Sequence, residues 1–140
     1  MLKSLDSCTK CHRIHQHLLF LKSIYKDYHN RPVKGSGSKN SSICIVGLAP
    51  GLHGANRTGD VFNGDFSGNI LNNCLIEAGF SKSFEENYPF ITNAVKCYPQ
   101  NNKPKTSEVK NCSYFLSNEI LEMKNLKIII ALGKVSHDAI

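Results

Sequence analysis

Apolar residues follow two periodicities along the chain, and together these predict a regular alternation of strands and helices. Three apolar runs predict buried strands, at residues 43–48, 89–95 and 128–132. Helical spacing of apolar residues predicts helices at residues 18–28, 67–78, 106–123 and from 134 onward. Strands and helices in this order are typical of α/β proteins, so we expect a three-layer α/β/α fold with a mostly parallel sheet.

Finer features of the pattern predict how these elements begin and pack. Ser67 is a candidate N-cap of the second helix. The apolar face of that helix would be buried, and it comprises Ile70, Leu71, Cys74, Leu75 and Ala78. Cys44, on the first strand, is expected in the core together with Cys74. Residues 30–42, rich in glycine, serine and lysine, are expected to form a mobile loop.

Length and charge then narrow the class of protein. The 140 residues suit one domain, placed at residues 1–140. A formal net charge of +6 suits a polyanionic partner without proving one. The polar start lacks a secretory signal, and no run approaches the ~20 apolar residues of a membrane span. We expect a cytoplasmic monomer whose six cysteines are reduced, metal-bound or buried.

The first predicted strand runs directly into a glycine-rich polar segment. It reads Gly-Leu-Ala-Pro-Gly-Leu-His-Gly-Ala-Asn-Arg-Thr-Gly at residues 47–59, and Phe-Asn-Gly-Asp follows at residues 62–65. An open α/β sheet builds its ligand site at such a carboxyl edge. The segment has neither a Gly-Lys-Ser/Thr nor a G-x-G-x-x-G arrangement, which weakens the alternative of a nucleotide-binding domain.

Four of the cysteines form two pairs, one at Cys8 and Cys11 and one at Cys97 and Cys112. A C-x2-C pair alone fits a zinc half-site, a redox pair or chance. A zinc ribbon normally has a second tight pair, and this chain has none. Four thiolates from two distant segments suit a [4Fe–4S] cluster better, because a cubane presents four separated iron corners.

The glycine-rich segment and the four cysteines together resemble the iron–sulfur uracil-DNA glycosylases of type 5, also called type B. The resemblance runs from Cys8 to about Ile140. It implies that Cys8, Cys11, Cys97 and Cys112 ligate a structural [4Fe–4S] cluster. It also implies hydrolysis of the N-glycosidic bond of uracil in DNA, with other deaminated bases as further substrates, as the first step of base-excision repair.

The resemblance also assigns roles to single residues. Phe62 would stack on uracil, Asn93 would read the base edge, and Asp65 would orient water or stabilise the sugar cation. Ordinary alternatives are core packing for Phe62, a turn or cap for Asn93 and a helix cap for Asp65. Substrate-binding positions are expected at Gly47, Ala49, Pro50, Gly51, His53, Asn56, Arg57, Phe62 and Asn93. Contacts to the DNA backbone, or else a solvated surface, are expected at Lys96, Lys103 and Lys105.

The chain departs from the family pattern at its carboxyl end. The family continues with a fourth strand and a His-Pro-Ser motif, and His137 has no Pro-Ser after it. We expect a fold that lacks the last strand and helix, with Ile128, Ile129 and Ile130 losing packing. If 140 residues are the whole product, we expect weak or absent activity, and an inactive iron–sulfur DNA-binding remnant is the alternative function. If they are a fragment, the intact protein should be an ordinary member of the family.

Overall fold

The computed structural model describes residues 4–140, and within them the elements follow the predicted order. The α-helices are α1 (His12–Ile24), α2 (Ala55–Thr58), α3 (Phe66–Glu77), α4 (Thr106–Leu121) and α5 (Lys134–Asp138). The strands are β1 (Ile43–Gly47), β2 (Phe90–Asn93) and β3 (Ile128–Ala131). Short 3-10 turns lie at Leu5–Ser7, Glu85–Asn87 and Gln100–Asn102. Residues 1–3 lie outside the described residues. They belong to the predicted domain and to the amino-terminal stretch in which no secretory signal was predicted.

The strands form a parallel sheet in the order β2-β1-β3, which confirms the predicted α/β class. β1 is the central strand and pairs with both neighbours, and this explains why its sequence is an uninterrupted apolar run. The register sets Gly47, the last residue of β1, beside Asn93, the last residue of β2. Both strands therefore deliver their following loops to the same edge of the sheet.

Helices cover the two faces of the sheet, as expected for a three-layer fold. On one face, Ile45 and Ile91 pack against Leu75 of α3 and Ala55 of α2. On the other face, Cys44, Val46 and Phe90 pack with Leu116 of α4. The alternation of side chains along β1 thus feeds two separate apolar clusters.

A third apolar cluster lies beyond the carboxyl end of β2. Ile14, Leu18 and Leu21 of α1 pack there against Val95 and Tyr98, which follow β2 in the chain, and against Cys112 of α4. α1 is thereby attached to the loop after β2, and the segment that carries Cys8 and Cys11 lies next to it. Among residues 4–140, no helix is long and apolar enough to cross a membrane.

The prediction that β3 is a buried strand is wrong, since two of its side chains are exposed and the other two are only half-buried. Ile128 and Ile130 are 55% and 42% exposed, whereas Ile129 packs against the α4 side. The register explains the difference, because Ile130 pairs with Ile45 and so faces the α3 side. α3 covers β1 and β2 and leaves β3 open on that face. The expected loss of packing is therefore confirmed for Ile128 and Ile130.

Two predictions about α3 are also wrong. Its N-cap is Asp65, whose carboxylate accepts a hydrogen bond from the Gly68 N–H, and Ser67 lies inside the helix. Three residues of its predicted buried face, Ile70, Cys74 and Ala78, are exposed, because the apolar cluster on the sheet reaches only Leu71 and Leu75 of α3. The predicted core position of Cys44 is confirmed, since its side chain is fully buried.

The segment predicted to be a mobile loop is anchored to the sheet. Ser36 exchanges two backbone hydrogen bonds with Ile91, at 2.9 and 2.7 Å, and so forms an antiparallel bridge beside β2. Gly37 has φ +109° and approaches the Pro89 carbonyl so closely that a Cβ would overlap it. Only glycine tolerates both conditions, which explains why a flexible composition here produces a fixed conformation.

Lys96 is completely buried, so its predicted contact with the DNA backbone is wrong. Its Nζ donates to Thr92 Oγ1 and to Glu119 Oε2, each at 2.5 Å. Glu119, on α4, also accepts from the Thr92 hydroxyl at 2.7 Å and from the Gly35 N–H at 3.0 Å. Burial lowers the pKa of Lys96, and the attraction of Glu119 opposes that shift. The pair connects β2, α4 and the segment around Gly35.

Replacing Lys96 by methionine should destabilise the protein by about 3–5 kcal/mol, because Glu119 would be left as a mostly buried charge without its partner. The Lys96→Met/Glu119→Gln double variant should lose less than Lys96→Met alone. Urea unfolding measures both. The control is Lys134→Met, which breaks an exposed ion pair with Asp138 and should leave the unfolding midpoint nearly unchanged. A loss from Lys96→Met no larger than that of the control would contradict this account.

Candidate active site

The ends of β1 and β2 bring a glycine, an aromatic ring and an amide together. A Cβ on Gly47 would lie 2.5 Å from Asn93 Oδ1 and would overlap the ring of Phe62. The Phe62 ring and the Asn93 amide can therefore meet at this point only because residue 47 has no side chain. This juxtaposition supports the expectation that Gly47, Phe62 and Asn93 belong to one site.

Asn93 presents an unpaired polar atom in this site. The residue is 3% exposed, and its Oδ1 has no hydrogen-bond partner among the residues that the structure describes. Buried side-chain oxygens in native proteins are nearly always paired, and the exceptions often mark a ligand or a functional role. The alternative of a turn or capping asparagine would require Oδ1 to accept a backbone N–H, and between residues 4 and 140 it accepts none.

Phe62 is held in an uncommon backbone conformation. Its φ is +52°, in the left-handed region that bulky residues rarely adopt. Gly68, in the first turn of α3, lies so close to the Phe62 carbonyl that a Cβ there would overlap it. The ring also packs partly against the cluster around Ile45. Phe62 therefore packs partly in the core and also lies at the ends of β1 and β2, and such backbone strain is common at functional sites.

The two oxygens of Asp65 have different surroundings. Oδ1 accepts from the Gly68 N–H at 2.9 Å, which confirms the helix-cap alternative. Oδ2 faces the loop after β1, where a Cβ on Gly51 would lie 2.7 Å away and one on Gly54 would overlap it. Capping therefore uses only one oxygen of the carboxylate, and the other faces the glycine-rich loop.

Two of the predicted contact residues hold the loop in shape. Asn56 is fully buried, and its Nδ2 donates to Asn30 Oδ1 at 2.8 Å. The exposed Arg57 donates from Nε to the His53 carbonyl at 2.7 Å and from Nη2 to the Gly64 carbonyl at 3.0 Å. Arg57 thus ties the part of the loop before α2 to the part that precedes Asp65.

The remaining predicted positions occupy different environments. Pro50 is buried, and Ala49 packs partly against the α1 cluster, so both belong to the base of the loop. His53 is exposed, with its Nδ1 2.8 Å from the Tyr28 hydroxyl. Tyr28 and Asn30 were not identified from the sequence. Their partners, His53 and Asn56, lie 25 and 26 residues further along the chain. Hydrophobic periodicity does not predict how the intervening loop folds back.

The four predicted cluster ligands line one cavity. Cys8, Cys11, Cys97 and Cys112 all contribute to the walls of a cavity of about 200 Å³ beside α1. Asn111 Nδ2 donates to the Cys11 sulfur at 3.5 Å. Within residues 4–140, no three or more Cys, His, Asp or Glu side chains converge so as to hold a single metal ion.

Burial governs the protonation of these thiols. It raises the pKa of Cys112 to about 11 and also raises the pKa of Cys97 and Cys11. The neighbouring sulfurs add to the shift of Cys97, which indicates that the four lie within electrostatic reach of one another. At pH 7, Cys11, Cys97 and Cys112 would be neutral thiols unless a positive group bound directly beside them.

Sequence comparisons show which known proteins this chain is similar to. The family model described as the uracil DNA glycosylase superfamily matches residues 34–140. The chain is 34% identical over 153 residues to the type-5 uracil-DNA glycosylase of Thermus thermophilus, a match covering 99% of this chain and 69% of that protein. It is 36% identical over 149 residues to the type-5 uracil-DNA glycosylase of Pyrobaculum aerophilum, covering 97% of this chain and 66% of the relative.

A shorter match connects the chain to a second type. The type-4 uracil-DNA glycosylase of Thermotoga maritima is 38% identical over 102 residues, which covers 72% of this chain and 50% of that protein. The chain thus spans about two thirds of the length of the two type-5 relatives. These matches confirm the resemblance seen in the glycine-rich segment. The chain belongs to the uracil DNA glycosylase superfamily.

Proposed function

We propose that this protein hydrolyses the N-glycosidic bond of uracil in DNA and so begins base-excision repair. Other deaminated bases are further candidate substrates. The observation that carries the proposal is the buried Oδ1 of Asn93, which accepts no hydrogen bond from residues 4–140 and lies beside the Phe62 ring and the backbone of Gly47. Membership of the superfamily supports the reaction class, and the names of the relatives support uracil as the base.

The Asn93 amide matches one edge of uracil. Its Oδ1 would accept from uracil N3–H, and its Nδ2 would donate to the O4 carbonyl. Cytosine has an acceptor at N3 and a donor at C4, so the same amide orientation would oppose it at both points. The Phe62 ring, which lies against Gly47, would stack on the flipped base.

Asp65 is proposed to act on the sugar. When the glycosidic bond breaks, the sugar becomes cation-like and the departing base becomes anionic. The Gly68 N–H fixes one oxygen of Asp65 and thereby directs the other toward the loop around Gly51 and Gly54. We propose that this free oxygen stabilises the sugar cation or orients the attacking water.

The loop residues divide into supports and contacts. Asn56 is buried and bonded to Asn30, and Arg57 bridges two carbonyls, so both are proposed to keep the loop in its binding shape. His53 is exposed at the loop surface and is proposed to contact the base or phosphate directly. Lys103 and Lys105 are exposed, and with the net charge of +6 they are proposed to contact the DNA backbone.

We propose that Cys8, Cys11, Cys97 and Cys112 hold a [4Fe–4S] cluster. The ligands of a cubane surround a volume and do not converge on one point, and four thiols around a cavity of about 200 Å³ suit that arrangement. Bound iron would supply the positive charge that buried thiolates need. When bound, the cluster would connect the amino-terminal segment, the loop after β2 and α4, a structural role without redox catalysis.

Further properties are proposed on the same basis. Residues 1–140 are proposed to form one domain of a cytoplasmic monomer that binds uracil-containing DNA. A chain that held the cluster and bound DNA without releasing uracil would instead be an iron–sulfur DNA-binding remnant of the family. Assays of iron content, DNA binding and uracil release on one preparation separate these two functions.

Asn93→Ala should slow uracil release by about 10²–10³-fold, because the site would lose its reader of the base edge. Release of free uracil from a uracil-containing oligonucleotide measures the rate. Asn73→Ala, on the exposed side of α3, is the control and should match the unmodified protein. Equal rates for the two variants would exclude base reading by Asn93.

Two substitutions of Asp65 should separate its cap from its chemistry. Asp65→Asn keeps an oxygen for the Gly68 N–H, so thermal stability should change little. Asp65→Ala removes the cap and should cost about 0.5–2 kcal/mol. Both variants should release uracil at least about 10²-fold more slowly, because both lack the charge beside the sugar. Normal activity in Asp65→Asn would leave only the capping role.

Anaerobically purified protein should contain about four irons per chain and show the visible absorbance of a [4Fe–4S] cluster. Cys97→Ala should lose most of this iron and colour. Cys74→Ala alters an exposed cysteine on α3 and should retain both. A colourless wild-type protein, or equal iron in the two variants, would argue against ligation by Cys97.

A further inference from the structure

We infer that Tyr28 is a positioning residue that fixes the tautomer and orientation of the His53 imidazole. The Tyr28 hydroxyl lies 2.8 Å from His53 Nδ1, across 25 residues of sequence. His53 belongs to the glycine-rich loop, whereas Tyr28 lies just beyond the end of α1. The inference rests on the proposed function, because it concerns how a loop residue of that site is prepared for substrate.

Aromatic packing restricts the imidazole ring from a second side. The rings of Tyr25 and Tyr28 are stacked with their centroids 4.6 Å apart. The His53 ring stands edge-on to both, with centroid distances of 5.7 and 5.9 Å and interplanar angles of 84° and 85°. An exposed histidine normally samples several rotamers, so this contact restricts where the ring can point.

The segment that carries the two tyrosines is itself fastened to the loop. The His29 N–H donates to the Arg57 carbonyl, and the Asn30 N–H donates to the Asn56 carbonyl, both at 3.1 Å. Asn30 Nδ2 also donates to the Tyr25 carbonyl at 2.8 Å. These hydrogen bonds fix the position of Tyr28 relative to His53, as a positioning role requires.

A tyrosine hydroxyl can donate to an imidazole nitrogen or accept from its N–H, and the inferred arrangement is the first. When the Tyr28 hydroxyl donates to Nδ1, the neutral ring must carry its proton on Nε2. Nε2–H then becomes a fixed donor on the exposed side of the loop. Its partner in substrate is an acceptor oxygen, either a carbonyl of the flipped base or a phosphate of the DNA backbone. A histidine in the other tautomer would present a lone pair there and repel the same oxygen.

Tyr28→Phe and Tyr25→Phe form a matched pair for the test. Each keeps the stacked ring, but only Tyr28→Phe removes the hydroxyl that faces His53. In protein carrying ¹⁵N-labelled histidine, His53→Gln identifies the His53 signals. In wild type and Tyr25→Phe, Nδ1 should have the chemical shift of an unprotonated nitrogen, and Nε2 that of a protonated one. In Tyr28→Phe, both shifts should move toward the averaged values of a free histidine.

Binding to DNA distinguishes the two sources of the acceptor oxygen. The probes are duplexes with either thymine or an uncleavable 2′-fluorinated deoxyuridine at one position. If Nε2–H meets the base, Tyr28→Phe should weaken binding only to the uracil duplex, by a factor of about 2–10. If it meets phosphate, binding to both duplexes should weaken by a similar factor. Tyr25→Phe should bind both duplexes as the wild type does.

Two results would overturn the inference. One is an unchanged His53 tautomer in Tyr28→Phe, and the other is equal binding of wild type and Tyr28→Phe to both duplexes. The tautomer is read from the protein alone, without uracil release. A wild type that showed the Nε2–H tautomer but released no uracil would therefore refute the proposed function while supporting the role of Tyr28.

Discussion

The buried pair of Lys96 and Glu119 is the constraint on which the arrangement of the site depends. Lys96 lies three residues beyond β2, and its side chain turns back to bond Thr92 in that strand, so the hydrogen bond spans the residues that include Asn93. Its backbone carbonyl accepts from the Val33 N–H at 2.7 Å. Lys96 thus connects the end of β2, where Asn93 lies, with α4 and with the segment beside the sheet.

Sequence patterns predicted the fold class and strand order in the chain because both follow from local periodicity. β1 reads as a buried run since it is central, and Gly47 ends it where the loop begins. The prediction failed for Ile128, Ile130 and Cys74, whose apolar character alone could not show which faces a helix covers. Burial of a side chain depends on which residues distant in sequence pack against it, and hydrophobic periodicity does not predict these contacts.

The candidate site was predictable to a similar degree. Residues of the glycine-rich loop could be identified because a family resemblance covers them, and Asn93 falls beside Gly47 by strand register. Lys96 was misassigned to the surface, since a lysine has a buried role only when a distant acid such as Glu119 pairs with it. Tyr28 was missed for the same reason, because a contact over 25 residues leaves no local signature.

The unpaired oxygen of Asn93 has a consequence for fidelity. A buried acceptor without a donor costs about 1–3 kcal/mol, and the empty protein bears this cost whichever base approaches. On the proposed function, only a base with an N–H at the matching position removes the cost. A site that hydrogen-bonds its substrate can reject an analogue lacking that group by about 10⁴–10⁵-fold. Discrimination of uracil from cytosine would then depend on an acceptor that is already buried before any DNA is bound. Thymine has the same N3–H and O4 as uracil, so this oxygen does not distinguish those two bases.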